Sequence, residues 1–149
     1  MIIDAENFLS DPQTVTTGTN TGLVSEHTID LGVAKDIGAG ENMYAVVIVT
    51  TTLVMDSTQG LTVQLVTDGY AALNSPTVMQ TIGTFAANSV AGSVLIARVQ
   101  PNASYERYVG LNYVVTTGNA LSAGAVKAFL TTDVDTIRHY APGFSIATS

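Results

Sequence analysis

The chain has 149 residues, 46% of them hydrophobic and only 11% charged, with a formal net charge of -7 and no cysteine. Soluble domains ordinarily carry about a quarter charged residues, so this chain lacks the groups to keep its whole surface wet, and other protein is expected to cover part of it. The missing cysteines exclude disulfides, thiolate metal sites and cysteine nucleophiles. The longest apolar run, Met43 to Met55, is broken by Thr50, Thr51 and Thr52 and falls short of the ~18 residues a spanning helix needs, so no membrane is expected as a partner.

Charge is distributed unevenly. Residues 1–41 hold Asp4, Glu6, Asp11, Glu26, Asp30, Asp36 and Glu41 against Lys35, a net -6, while residues 42–149 hold five acids against Arg98, Arg107, Lys127 and Arg138, a net -1. Such a chain repels phosphate and shows no basic stripe with interleaved aromatics, which argues against nucleic acid. The opening Met1-Ile2-Ile3-Asp4-Ala5-Glu6-Asn7 has neither the basic nor the apolar region of a secretion signal.

Taken in chain order, the pattern predicts a single domain over 1–149, with an extended acidic N-terminal segment over about residues 1–26 and a short C-terminal tail over about residues 138–149. The stretch from Ser10 to Ser25, rich in Thr, Gly, Asn and Ser, reads as an extended loop or arm rather than a strand pair. His27–Leu31 is the first predicted strand. Tyr44–Val54 is the next, and it is apolar on both faces: Met43, Ala45, Val47 and Val49 on one, Tyr44, Val46 and Ile48 on the other. A central strand covered on both sides reads this way, and so does a strand at a subunit interface.

Leu61-Thr62-Val63-Gln64-Leu65 alternates strictly, as a half-buried strand requires. Val78–Phe85 and Ser93–Gln100 follow, and Arg107 to Thr117 places Val109, Leu111, Tyr113 and Val115 on one face and Tyr108, Gly110, Asn112 and Val114 on the other. Ala125–Thr132 is the last. These runs are rich in Val, Ile, Thr and Tyr, which suit a pleated sheet. Asp68-Gly69 and Gly118-Asn119 suit tight turns, Gly60 and Gly92 precede strand starts, and Asn74-Ser75-Pro76 and Gln100-Pro101-Asn102 act as breakers. No segment of a dozen residues shows helical period with caps. The expected fold is therefore all-β, an antiparallel jelly roll or β-sandwich of about eight short strands.

The residues that carry chemistry elsewhere do not converge in this sequence. His27 and His139 have no second ligand at a metal spacing. No G-x-S-x-G elbow occurs. Gly38-Ala39-Gly40 opens like a phosphate loop, but Met43 stands where the third glycine belongs and no basic residue follows. Asp133 and Asp135 share a face if extended, yet a calcium loop needs more oxygen ligands at regular spacing. The expectation is a protein that is not an enzyme and binds no cofactor and no metal. The apolar residues near the ends, Ile2, Ile3, Phe8, Tyr140, Pro142 and Phe144, are costly to leave free and are the candidate contacts with another copy or with a larger assembly.

Read end to end, three colinear pieces carry a resemblance. They are Met1-Ile2-Ile3-Asp4-Ala5-Glu6-Asn7 with Ile29-Asp30-Leu31-Gly32 and Lys35-Asp36-Ile37-Gly38; Arg107-Tyr108-Val109-Gly110-Leu111-Asn112-Tyr113 with Thr117-Gly118 and Ala123-Gly124-Ala125-Val126; and Tyr140-Ala141-Pro142-Gly143-Phe144. In these the chain resembles the small capsid cement, or decoration, proteins of tailed bacteriophages, of the type first described in a Bordetella phage. The resemblance implies a jelly roll on the outer surface of the virion capsid, an oligomer that clamps neighbouring major capsid proteins against the pressure of the packed genome. It departs in a longer polar stretch, Thr14 to Glu26. The implied partners are the major capsid protein and the chain itself, as a homodimer first, since two-fold pairing is the commonest closed symmetry, or as a homotrimer. The alternative is a carbohydrate-binding jelly-roll module of a virion surface or tail protein; the lack of tryptophan and the 7% aromatic content argue against the aromatic platforms such sites present.

Overall fold

A computed structural model of the chain describes residues 5–16, 22–55, 60–102, 104–115 and 121–134. Among the described residues a single 3-10 turn, Ala5–Asn7, precedes nine strands: β1 (Phe8–Thr14), β2 (Gly22–Val24), β3 (Ile29–Asp30), β4 (Tyr44–Met55), β5 (Leu61–Asp68), β6 (Thr77–Phe85), β7 (Val94–Arg98), β8 (Tyr108–Val115) and β9 (Leu121–Thr131). They form two antiparallel sheets, the first in the order β1-β9-β4-β7 and the second in the order β2-β8-β5-β6, with β3 also pairing with β8. The pairing is nested: first strand with last, β2 and β3 with β8, β4 with β7, β5 with β6. A long antiparallel ribbon wound onto itself gives this order, which is the jelly-roll form of a β-sandwich.

The alternation expected in β8 is what the core is built on. Val109, Leu111, Tyr113 and Val115 are all fully buried, facing Ala45, Val47 and Val49 of β4 and Val126, Ala128 and Leu130 of β9 across the sandwich. At the opposite face of β8, Gly110 allows the β5–β6 connection to fold back. A Cβ there would come within 2.5 Å of Leu73 Cδ1, and that connection is held by Asp68, whose carboxylate accepts the Tyr70 N–H at 3.1 Å and the Ser75 N–H at 2.9 Å. In the first sheet the register shifts between Val49 and Thr51 and again before Val54. There Gly124 takes φ 152°, and a Cβ on it would meet Leu53 Cδ2 at 2.6 Å; only glycine adopts that backbone without strain.

The stretch from Ser10 to Ser25 differs from expectation. It supplies most of β1 and all of β2, one strand to each sheet, with residues 17–21 outside the described set. Two of its polar side chains, Ser10 and Gln13, reach the other sheet and are satisfied there. Ser10 and Gln13 make hydrogen bonds that ordinary hydropathy patterns treat as exposure, and Pro12 is accommodated because β1 is an edge strand whose register shifts between Ser10 and Gln13. Ser25 divides β2 from β3: its hydroxyl accepts the Leu111 N–H at 3.0 Å and donates to the His27 carbonyl at 2.8 Å.

Both sides of the sandwich are closed by a glutamine. Gln13 of β1 donates through Nε2 to the Val24 carbonyl at 2.9 Å and accepts the Glu26 N–H through Oε1 at 2.8 Å. Gln80 of β6 donates to the Arg98 carbonyl at 2.7 Å and accepts the Gln100 N–H at 2.9 Å. In each case the side-chain amide reads the C=O of one residue and the N–H two residues further on, as a facing strand would. Backbone groups at the sheet edges that would otherwise be open to pairing with another chain are thereby occupied.

Candidate functional site

Of the residues expected at a contact, the structure describes Phe8; Ile2, Ile3, Tyr140, Pro142 and Phe144 lie outside the described residues, as do His139 and Asp135. Phe8 opens β1 opposite Phe129 of β9. Their rings meet edge to face, with centroids 5.7 Å apart at 72°, a geometry aromatic quadrupoles favour. The Lys127 ammonium lies 4.7 Å from the centroid of the Phe8 ring and 3.2 Å from the Asp11 carboxylate, so one cation is shared between a ring face and a carboxylate.

These contacts belong to the outward face of the first sheet. Strand register puts Val46 beside both Phe129 and Ile96, and Ile48 beside both Lys127 and Val94. Val46 and Phe129 are 0% and 1% exposed although they point away from the core between the sheets. With Val134 they form a second apolar cluster, against which Phe8, Tyr44, Ile48, Val94 and Ile96 pack half-buried. The two-faced character of β4 thus has a concrete origin: it is a central strand, and its outer face carries an apolar cluster of its own. Sequence reasoning picked out Tyr44, Val46 and Ile48 but missed Val94, Ile96, Phe129 and Val134, because apolar residues on neighbouring strands reveal a shared face only once register is known.

Beside this face, at the end of the sandwich where β1 begins and β9 ends, lies a cavity of about 320 Å³. It is walled by Ile29, Leu31, Ile37, Met43, Val109 and Leu130, together with Asn7, Thr131, Thr132 and Asp133. Its lining is mixed, with apolar side chains on one wall and the polar groups of Asn7, Thr131, Thr132 and Asp133 on the other. His27 is exposed; its N–H donates to the Leu9 carbonyl at 2.9 Å, so its position is set by strand contacts of its backbone. Among the described residues, no group of three or more His, Cys, Asp or Glu side chains is placed to hold a metal ion, and no helix is long and apolar enough to cross a membrane.

One exposed charge pair has strict geometry. Arg107 Nε and Nη2 each donate at 2.8 Å to the two oxygens of Asp30, joining β8 to β3, and the guanidinium lies 5.1 Å from the centroid of the Tyr108 ring. The hydrogen bonds from Arg107, and then the Gly32 N–H, hold the Asp30 carboxyl down at about 2. Because the folded value is depressed below the ordinary 3.8, whatever the pair contributes is present above about pH 4 and is lost as pH falls through about 2. Carboxyl NMR titration is expected to show Asp30 titrating near 2, and Arg107→Ala is expected to return it toward the ordinary carboxylate range; an unmoved titration would show that Arg107 is not the cause.

No curated protein matches the chain. The Bbp16 family does, over residues 9–130, a span that runs from the second residue of β1 to the last but one of β9 and takes in strands of both sheets. The match covers the wound ribbon, both glutamine closures and the outer cluster apart from Phe8 and Val134. The chain therefore belongs to the Bbp16 family, a Bordetella phage protein family, and is a phage structural protein built as a β-sandwich.

Proposed function

We propose that this protein is a capsid cement protein: it binds the outer surface of a phage shell and clamps neighbouring major capsid proteins, with no catalytic step and no cofactor. The observation that carries the reading is the Bbp16 match across the whole sandwich. The sequence supports it through its low charge, which suits a surface covered by other protein. The acidic first third, net -6, suits a basic patch on the shell and repels the phosphate of a nucleic acid.

The mechanism is mechanical. A stable interface buries about 1,200–2,000 Å² in total, so each clamp adds a modest free energy to the joint it spans. A homodimer gains more, because its second contact is intramolecular once the first has formed. Repeated over a shell, such joints oppose outward pressure. Purified protein is expected to run in light scattering at twice its 15.5 kDa chain mass, to co-sediment at saturation with shells lacking it, and to raise the temperature at which filled shells release DNA. Absence of binding to such shells, or binding that leaves the release temperature unchanged, would overturn the proposal.

A further inference from the structure

The connection between β5 and β6 is held more firmly than an exposed loop requires. Asp68, itself buried, spends one carboxylate oxygen on the Tyr70 N–H and the other on the Ser75 N–H. The Leu73 N–H closes a turn onto the Tyr70 carbonyl at 3.1 Å. Leu73 takes φ 49°, a left-handed backbone that a bulky side chain rarely adopts, and its side chain is buried over Gly110 of β8. At the root of the connection the Thr67 hydroxyl donates to the Tyr108 carbonyl at 2.9 Å and accepts the Glu106 N–H at 2.8 Å, which ties it to the start of β8. What this frame presents is Tyr70. It is 72% exposed, the most exposed of the large hydrophobic side chains among the described residues, and Ala71 and Ala72 beside it are exposed as well. Gly69 to Val78 carries no charged residue, in a chain of net charge -7. A single exposed apolar side chain on an ordinary loop needs no explanation. One displayed by a strained backbone, with a buried carboxylate committed to holding it, has the marks of a functional segment.

We propose that Tyr70 is an anchor of the clamp, inserting its ring into an uncharged, largely apolar socket on the major capsid protein. The inference rests on the cement reading and adds to it the residue that grips. Tyrosine is enriched at binding hot spots because it brings a large ring and a polar tip with few rotatable bonds. A loop already fixed in place loses little further freedom on docking. Because the tip is neutral, it offers no counter-charge to a phosphate or an ionic patch, and an apolar socket with a hydrogen-bond partner for the phenol is what it fits. A second copy fits it less well. Two such tips meeting would bury little more than two rings, about 300–500 Å², against the roughly 1,200 Å² that a stable contact needs. On a shell the same ring adds to the other contacts that a clamp makes.

The test is co-sedimentation of the full chain and its Tyr70→Ala and Tyr70→Phe variants with shells lacking the protein, over a range of concentrations. Light scattering and urea unfolding of each variant alone accompany it. Tyr70→Ala is expected to weaken shell binding about 30-fold or more, the loss that marks a hot spot, while its unfolding midpoint and oligomer mass stay those of the unaltered chain. Tyr70→Phe is expected to keep most of the affinity. If the unaltered chain binds and Tyr70→Ala binds equally well, the inference is overturned and the cement reading stands; if the unaltered chain does not bind, both fall. A changed oligomer mass in Tyr70→Ala would assign the tip to contacts between copies, and a lowered unfolding midpoint would assign the ring to the fold itself. Either result overturns the inference.

Discussion

Truncating Tyr113 to alanine is expected to destabilise the fold by about 3–5 kcal/mol. Tyr113 is fully buried in the centre of β8, and its hydroxyl lies 2.7 Å from the Ser10 hydroxyl. Ser10 has one proton, which it donates to Gln13 Oε1 at 2.7 Å, so the Tyr113 hydroxyl must be the donor in the first contact. The relay then runs Tyr113 to Ser10 to Gln13, and Gln13 Nε2 carries it to the Val24 carbonyl. Truncation leaves a cavity and strips a buried serine of a donor. Tyr113→Phe keeps the ring and is expected to cost about 1–2 kcal/mol.

Tyr105 provides the internal control. Its ring is 1% exposed and its hydroxyl has no hydrogen-bond partner among the described residues. Tyr105→Phe removes a buried, unsatisfied polar atom and is expected to be neutral or stabilising by about 1 kcal/mol. Urea denaturation at constant slope reads both changes; equal losses at the two positions would contradict the relay. The same pair governs alkaline behaviour. Burial first, and then the Asp36 carboxylate, push the Tyr105 phenol up to about 12, and burial pushes Tyr113 up as well, opposed by the Ser10 hydrogen bond. Since these folded values lie above the ordinary 10, the stability they lend is complete below pH 10 and falls as pH rises toward 12.

Phe129→Ala is expected to cost about 3–5 kcal/mol as well, although Phe129 points away from the core between the sheets. Its exposure is 1%, and the edge-on contact with Phe8, the Val46 side chain and Val134 all rest on it. A sheet residue on a wet outer face would lose a fraction of that. Thermal or urea unfolding of the full chain distinguishes the cases: a loss below about 1 kcal/mol would mean that the outer cluster is not a second core.

The parts of the fold legible in the sequence were those where one strand speaks for itself. Val109, Leu111, Tyr113 and Val115 alternate with residues of the other face, and all four are buried. Tyr44 to Val54 was apolar on both faces, and the structure places it between β9 and β7 with apolar neighbours on each side. What escaped were features that exist only between strands. Ser10 and Gln13 look like loop residues until Tyr113, Val24 and Glu26 are brought opposite them. The residue pattern begins the last strand at Ala125, whereas β9 begins at Leu121 and bends through Gly124. Of the contact residues, Phe8 is described, and its neighbours Lys127, Phe129 and Val134 come from the far end of the chain.

Because the first strand pairs with the last in antiparallel register, Phe8 lies opposite Phe129, and the chain enters and leaves the sandwich at one end, beside the same cavity. Force applied there has a direction. Pulling the two exits apart opens β1 from β9 like a zipper, one hydrogen-bonded pair at a time. Drawing both exits together against the body instead leaves those pairs unstressed and loads the β9–β4 pairs in parallel, as shear. A joint anchored through both exits at once would therefore hold far better than one anchored through either alone, and a clamp built on this ribbon is strongest when its two ends pull as one.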